Sequence, residues 1–182
     1  MTDPIVKLSI ITPCYRQHNL EKCRMSIQFD LIDKWYIVYD TSKNRSYNKL
    51  YTDHPKIQEL ECSGGISGNP QRNLGIDQVK DGFIYFLDDD NMVHLDFWSI
   101  LPTVIPDRFY TWDGTRCSGS QCKVAKIDTA MYMVPKSMVG DLRWKESLYE
   151  ADGVFIEEIY KRYPDKHVYI PRLLAYYNII LK

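Results

Sequence analysis

Three carboxylates stand side by side at Asp88, Asp89 and Asp90, directly after the apolar run Phe83-Ile84-Tyr85-Phe86-Leu87. Five apolar residues followed by three acids read as a buried strand that ends abruptly in water. Like charges this crowded repel by about 1 kcal/mol per pair in water at ~4 Å, and by about 4 kcal/mol at a partly buried surface. A divalent cation removes that penalty, and oxygen-only ligands suit Mg2+ or Mn2+. A solvated acidic turn is the plain alternative. Open α/β sheets, however, place their ligands at the carboxyl ends of strands, which favours a metal site.

Two other apolar runs end in similar equipment, Thr12-Pro13-Cys14-Tyr15-Arg16 and Asp40-Thr41-Ser42. In a parallel sheet these ends share one edge with the acid triplet and face one crevice. Asp40 could accept a hydrogen bond from a pyrimidine N–H, with Tyr15 beside the ring; as a turn residue it could equally cap its own backbone. Arg72 and Asn73 lie on the first turn of a helix after a glycine-containing loop. There they could reach the base or phosphates of a nucleotide, or simply face solvent. Gly64, Gly65 and Gly68 form neither GxGxxG nor a P-loop, so neither phosphate cradle is expected.

Downstream, Asp128 interrupts an apolar stretch as either a turn acid or a ligand for a sugar hydroxyl. Glu150 and Asp152 precede an amphipathic helix over 154–163. Acids there suit a helix N-terminus through capping and the helix dipole, and they suit a general base aimed into the crevice equally well. Cys117 and Cys122 have no second pair to complete a zinc site.

The elements that must position these groups follow from patterning. Strands are expected at 8–12, stopping at Pro13, at 35–39 with a polar tail 40–44, at 57–60 and at 83–87. Asn19 is placed to cap a helix through Cys23, Met25 and Ile27. A second helix starts near Pro70 and turns Leu74, Ile76 and Val79 inward. Residues 95–105 read as helix, and 109–112, 130–134, 168–170 and 173–180 as strands. Alternating strands and helices imply a mainly parallel sheet with right-handed crossovers, hence one mixed α/β domain over 1–182. Its nucleotide-binding half would cover about 1–92, and its acceptor-binding and catalytic half about 93–182.

The 182 residues are 45% hydrophobic and 26% charged, ordinary globular material. A formal net charge of -1 lacks the basic footprint of a nucleic-acid binder. No run approaches the roughly 20 apolar residues of a membrane span, and residues 1–7 do not read as a signal peptide. Five scattered cysteines fit reduced thiols. A cytoplasmic protein is expected.

The order of these pieces resembles the GT-A nucleotide-sugar transferases, most closely glycosyltransferase family 2. The opening strand through Thr12-Pro13-Cys14-Tyr15 is similar to the one beneath the nucleotide, and Asp40 matches the acid that contacts uracil. Gly68-Asn69-Pro70-Gln71-Arg72-Asn73 is similar to the family's Arg-Asn helix start, Asp88-Asp89-Asp90 to its DxD motif, and 150–152 to its late acidic motif. Gln71-Arg72-Asn73 with Asp88-Asp89-Asp90-Asn91, and Ile127-Asp128-Thr129-Ala130, also resemble the glucuronosyltransferases of the same fold. The resemblance implies a single GT-A domain transferring a sugar from a nucleoside diphosphate, a UDP-sugar, to a carbohydrate or other hydroxyl acceptor with inversion. It implies Mn2+ or Mg2+ on Asp90 and Asp88, nucleotide contacts from Thr12, Pro13, Tyr15, Asp40, Arg72, Asn73, Asp88 and Asp89, and acceptor contact from Asp128. Asp152 would be the base, although Ala151 separates it from Glu150 where the family has adjacent acids. Two other readings stand beside it: an inactive module of the same fold that binds sugar or nucleotide, and a haloacid dehalogenase-type phosphohydrolase. The latter lacks its downstream Gly-Asp-x-x-x-Asp, because Lys145 stands at the last position.

Overall fold

The apolar runs of the first half become β1 (Leu8–Cys14), β2 (Lys34–Asp40), β3 (Ile57–Cys62) and β4 (Phe83–Phe86). These four lie side by side, all parallel, in the order β3-β2-β1-β4. The structure, a computed structural model, describes residues 6–42 and 45–180, so Lys43 and Asn44 of the expected polar tail lie outside the described residues. The second half adds β5 (Met92–Val93), β6 (Phe109–Gly114), β7 (Tyr132–Pro135) and β8 (His167–Tyr176), extending the same sheet as β4-β7-β6-β8-β5. Four of the seven pairings are parallel, and β4-β7, β7-β6 and β8-β5 are antiparallel. The expected mixed α/β architecture, a largely parallel sheet flanked by helices, is what forms.

Several boundaries differ from the pattern, each for a local reason. β1 runs through Pro13 instead of stopping there. Ile11 offers its carbonyl to the Leu87 N–H at 3.0 Å. Pro13, two residues on, points its nitrogen the same way, toward an edge that β4 has already left, so no ladder bond is lost. Asn19 ends a 3-10 turn (Gln17–Asn19) that runs into α1 (Leu20–Met25), and its side chain makes no capping bond. α3 (Leu95–Ile100) gives way to a 3-10 turn at Leu101–Thr103, where Pro102 interrupts the amide series. The two late strands are one, β8, whose register against β6 shifts near Pro171. Met92–Val93 and the short α4 (Lys136–Val139) carried too few residues for a period to show.

α2 (Asn69–Gln78) lies on β1 and β2 with an inner face that periodicity foresaw at Ile76 and Val79 and missed at its polar residues. Asn69, Gln71, Arg72, Gly75 and Ile76 are buried, Leu74 is only half-buried, and Val79 is buried just past the helix end. Gly75 permits the close approach, since a Cβ there would meet Ile11 Cγ2 at 2.5 Å. α5 (Ala151–Arg162) seats Phe155, Ile156 and Ile159 in the core. Its Phe155 ring meets Phe86 edge-on at 5.6 Å between centroids and stacks on Trp144 at 5.3 Å. This aromatic cluster ties the last residues of β4 to the helix that carries Asp152. Burying each such ring is worth about 1.5–3 kcal/mol.

Gly75→Ala should therefore destabilise the fold by about 1–3 kcal/mol, because overpacking against Ile11 outweighs the gain of about 1 kcal/mol in helix propensity. Urea denaturation measures this, and an unchanged midpoint would show that α2 is free to shift away from β1.

Candidate functional site

β2, β1 and β4 are adjacent and parallel, so their carboxyl ends do meet at one sheet edge. The most buried acid there is Asp89, 1% exposed. Its Oδ2 accepts from the backbone N–H groups of Tyr15 and Arg16, both at 2.6 Å, and its Oδ1 accepts from Arg16 Nε at 2.8 Å and from Arg16 Nη2. Asp89 thus clamps the end of β4 to the turn after β1. Arg16 Nη2 also reaches Asp90 Oδ2 at 2.8 Å. Asp88 pairs with Arg72 Nη2, while Arg72 Nη1 donates to the Ser67 carbonyl at 2.6 Å. The Arg72 guanidinium lies 4.5 Å over the Trp144 ring.

The repulsion within the triplet is therefore offset by two guanidinium groups of the chain itself, which leaves one carboxylate in excess. Asp90 carries that excess: burial, reinforced by the Asp88 charge and opposed by Arg16, lifts its pKa to about 6. Among the described residues no group of three or more His, Cys, Asp or Glu is arranged to hold a metal ion.

Two cavities open at this edge. The first, of about 650 Å³, is lined among others by Pro13, Tyr15, Arg16, Asp40, Arg45 and Asp90. The second, of about 570 Å³, takes in Arg116, Cys117, Asp128, Trp144, Glu150 and Asp152. Ser67, Arg72, Asp88, Tyr149 and Tyr177 border both. Of the expected nucleotide contacts, Pro13, Tyr15, Asp40, Arg72, Asp88 and Asp89 line the first cavity. Thr12 and Asn73 do not. Thr12 is fully buried and accepts from Trp35 Nε1 at 2.8 Å, while Asn73 brackets the Trp144 backbone, donating to its carbonyl at 3.0 Å and accepting from its N–H at 2.8 Å. Both side chains are spent on scaffold. Asp40 accepts from Ser42 N–H and Oγ at 2.9 and 2.8 Å and from Arg45 at 3.1 Å, so its turn-capping role is real.

The second cavity holds the other candidates. α5 begins at Ala151, so Asp152 sits inside the first turn instead of before the helix, and Glu150 occupies the cap position without a side-chain capping bond. Among the described residues, Asp152 Oδ1 accepts only from the next N–H, Gly153, at 2.7 Å. Burial raises its pKa to about 6; Asp128 and Asp88 add to the rise, while the Gly153 N–H and Arg72 oppose it. Asp128 is also raised, chiefly by burial, with Arg116 opposing. An under-solvated carboxylate that titrates near neutrality is what a general base requires.

No protein-family model matches the chain, and no curated protein matches it in sequence. Solved structures do match in shape. S. aureus TarS 1-349 in complex with UDP-GlcNAc is 13% identical with a TM-score of 0.70, over 94% of this chain and 58% of that one. The mannosyltransferase PcManGT from Pyrobaculum calidifontis, in complex with GDP-Man and Mn2+, is 10% identical with a TM-score of 0.72, over 97% and 58%. The chain has a glycosyltransferase fold. It spans about three-fifths of the length of these structures.

Within that fold, several lining residues escaped the sequence reading. Arg45 lies 5.4 Å over the Tyr15 ring and Arg116 lies 4.6 Å over Tyr177. Tyr149 is 77% exposed at the border of the two cavities. Its position beside Glu150 was a usable signal, whereas nothing near Tyr177 marked it.

The raised pKa of Asp152 has a consequence for stability. The folded state holds its proton more tightly than the unfolded chain, so stability present below pH ~4 is lost as pH rises to about 6. Asp152→Asn keeps an acceptor for Gly153 and removes the titration. Chemical denaturation should show the variant gaining on wild type at pH 7.5 but not at pH 4. An equal difference at both pH values would contradict the raised pKa.

Proposed function

We propose that this chain is the catalytic domain of a metal-dependent glycosyltransferase, most like family 2, that moves a sugar from a UDP-sugar to a hydroxyl acceptor with inversion. The observation that carries the reading is the pair of cavities joined at Asp88 and Arg72. One is walled by the ends of β1, β2 and the acid triplet, the other by Asp152. In this reading about 1–92 binds the nucleotide and about 93–182 the acceptor. The UDP-GlcNAc and GDP-Man complexes of the structural neighbours support a nucleotide-sugar donor.

Asp88 and Asp90 fit a hard divalent cation, since Mg2+ is commonly held by one or two carboxylates with substrate phosphates and water supplying the rest. Such a cation, Mn2+ or Mg2+, would offset the charge that develops on the departing diphosphate. Tyr15 offers its ring to the base and Asp40 an acceptor to its N–H. Arg72 lies where it can face the phosphates. Asp128 and Glu150 offer acceptors to the acceptor's hydroxyls. Asp152 takes the proton from the attacking hydroxyl as its oxygen bonds to the anomeric carbon. The bond from that carbon to the diphosphate breaks with its electron pair leaving on the phosphate oxygen. A single displacement inverts the configuration.

One observation favours a second reading, a module that binds nucleotide sugar without transferring it: Arg16 and Arg72 already neutralise most of the acid triplet. Binding of UDP-sugars with Mn2+, without donor hydrolysis or transfer to any acceptor, would decide for that module.

Asp152→Asn should bind UDP and Mn2+ as wild type does and lose about 10² or more in transfer rate, and wild-type transfer should fall as pH drops below about 6. Normal transfer by Asp152→Asn together with loss in Glu150→Gln would move the base to Glu150. Asp90→Ala should abolish Mn2+-dependent UDP binding in calorimetry while apo thermal stability holds or rises. A fall in apo stability with unchanged UDP binding would make the triplet structural.

A further inference from the structure

Arg16 is the group whose position the proposed reaction does not explain. Its backbone N–H, Nε and Nη2 are all paired with Asp89, and Nη2 also meets Asp90 Oδ2 at 2.8 Å, on the wall of the first cavity. The Arg16 side chain is 34% exposed and that of Asp90 10%, so the contact faces the cavity and not the core. Arg72, which pairs with the neighbouring Asp88, is 3% exposed and borders both cavities, and among the described residues its buried Nε has no hydrogen-bond partner.

We propose that Arg16 is a resident counter-ion that a divalent cation must displace from Asp90, so that cation and guanidinium hold this carboxylate alternately. The inference rests on the metal reading of the acid triplet. The anchor on Asp89 is what makes the exchange reversible: the Arg16 backbone N–H, Nε and Nη2 all keep Asp89 while the contact of Nη2 with Asp90 alone is given up. A guanidinium released from Asp90 at the cavity wall suits a diphosphate, whose charge it meets with its N–H donors. Metal alone must therefore break an ion pair to bind, whereas metal arriving with a diphosphate gives Arg16 a replacement partner. No bond is made or broken covalently.

The test uses Mn2+ alone, followed by electron paramagnetic resonance, on the whole chain without donor. Arg16→Gln should bind Mn2+ at least tenfold more tightly than wild type. Arg45→Gln, which removes a cation from the same cavity without touching the triplet, should stay within about twofold of wild type. Equal gains in both variants would mean a general field effect and overturn the exchange, as would unchanged affinity in Arg16→Gln. If Arg16→Gln does not fold, wild type decides. The guanidinium resonances of Arg16 should shift on saturation with Mg2+, and resonances that stay put overturn the proposal. Failure of the underlying reading looks different: no protein, wild type included, would bind Mn2+ even with UDP present, and the exchange would fall with it.

Discussion

A buried carboxylate that ties two strand ends together governs the whole edge. Asp89 is almost fully withdrawn from water, and an ion in that position is tolerated only when its lone pairs are filled. Two backbone N–H groups and one guanidinium fill them. The turn after β1 is held in place by that demand, and with it Tyr15 and the reach of Arg16. Hydrogen bonds to a charged group contribute about 1.5–3 kcal/mol each, so the clamp is among the stronger polar interactions in the chain. The outer two acids of the triplet stay at the cavity wall because the middle one is anchored.

The three acids sit in a turn just past β4, closed by the Asn91 N–H on the Asp88 carbonyl at 3.0 Å, and all three border the first cavity. Asp89 is taken up by the clamp on β1, while Asp90 and Asp88 meet different arginines. The aromatic cluster of Phe86, Trp144 and Phe155 then sets α5 against the same edge, which brings Asp152 to a cavity bordered by Asp88. Packing of apolar rings thus positions carboxylates more than sixty residues apart in sequence.

Much of this was legible in the residues. Strong apolar runs marked β1, β2 and β4, and their polar tails marked the crevice, because burial on both faces and abrupt exposure leave a clear pattern; β3, Ile-Gln-Glu-Leu-Glu-Cys, left a weaker one. The inner face of α2 was legible only at Ile76 and Val79: Gln71 and Arg72 are buried by specific partners, Cys62 and Asp88, that no periodicity encodes. Thr12 and Asn73 looked available for a ligand because residue type shows hydrogen-bonding capacity and not whether the scaffold uses it. Repulsion among the acids pointed to a divalent cation. The guanidinium groups that meet much of that need come from Arg16, 73 residues away from Asp89, and from Arg72, which had been assigned to a nucleotide. Pairing across the fold is the information a linear pattern lacks.

The floor of the crevice is also fastened from the far end of the described chain. The Asn178 N–H donates to Asn91 Oδ1 at 2.8 Å across 87 residues, Ile180 N–H donates to the Asp90 carbonyl, and β5 pairs with Tyr176 and Ala175. Such contacts reward the chain only after a long loop has closed, and they form late and slowly compared with local structure. On a ribosome releasing about 5–20 residues each second, β1 to β4 emerge seconds before residues 175–180. Through that interval the acid triplet lacks the fastening that residues 175–180 supply, so this part of the crevice closes only after they emerge.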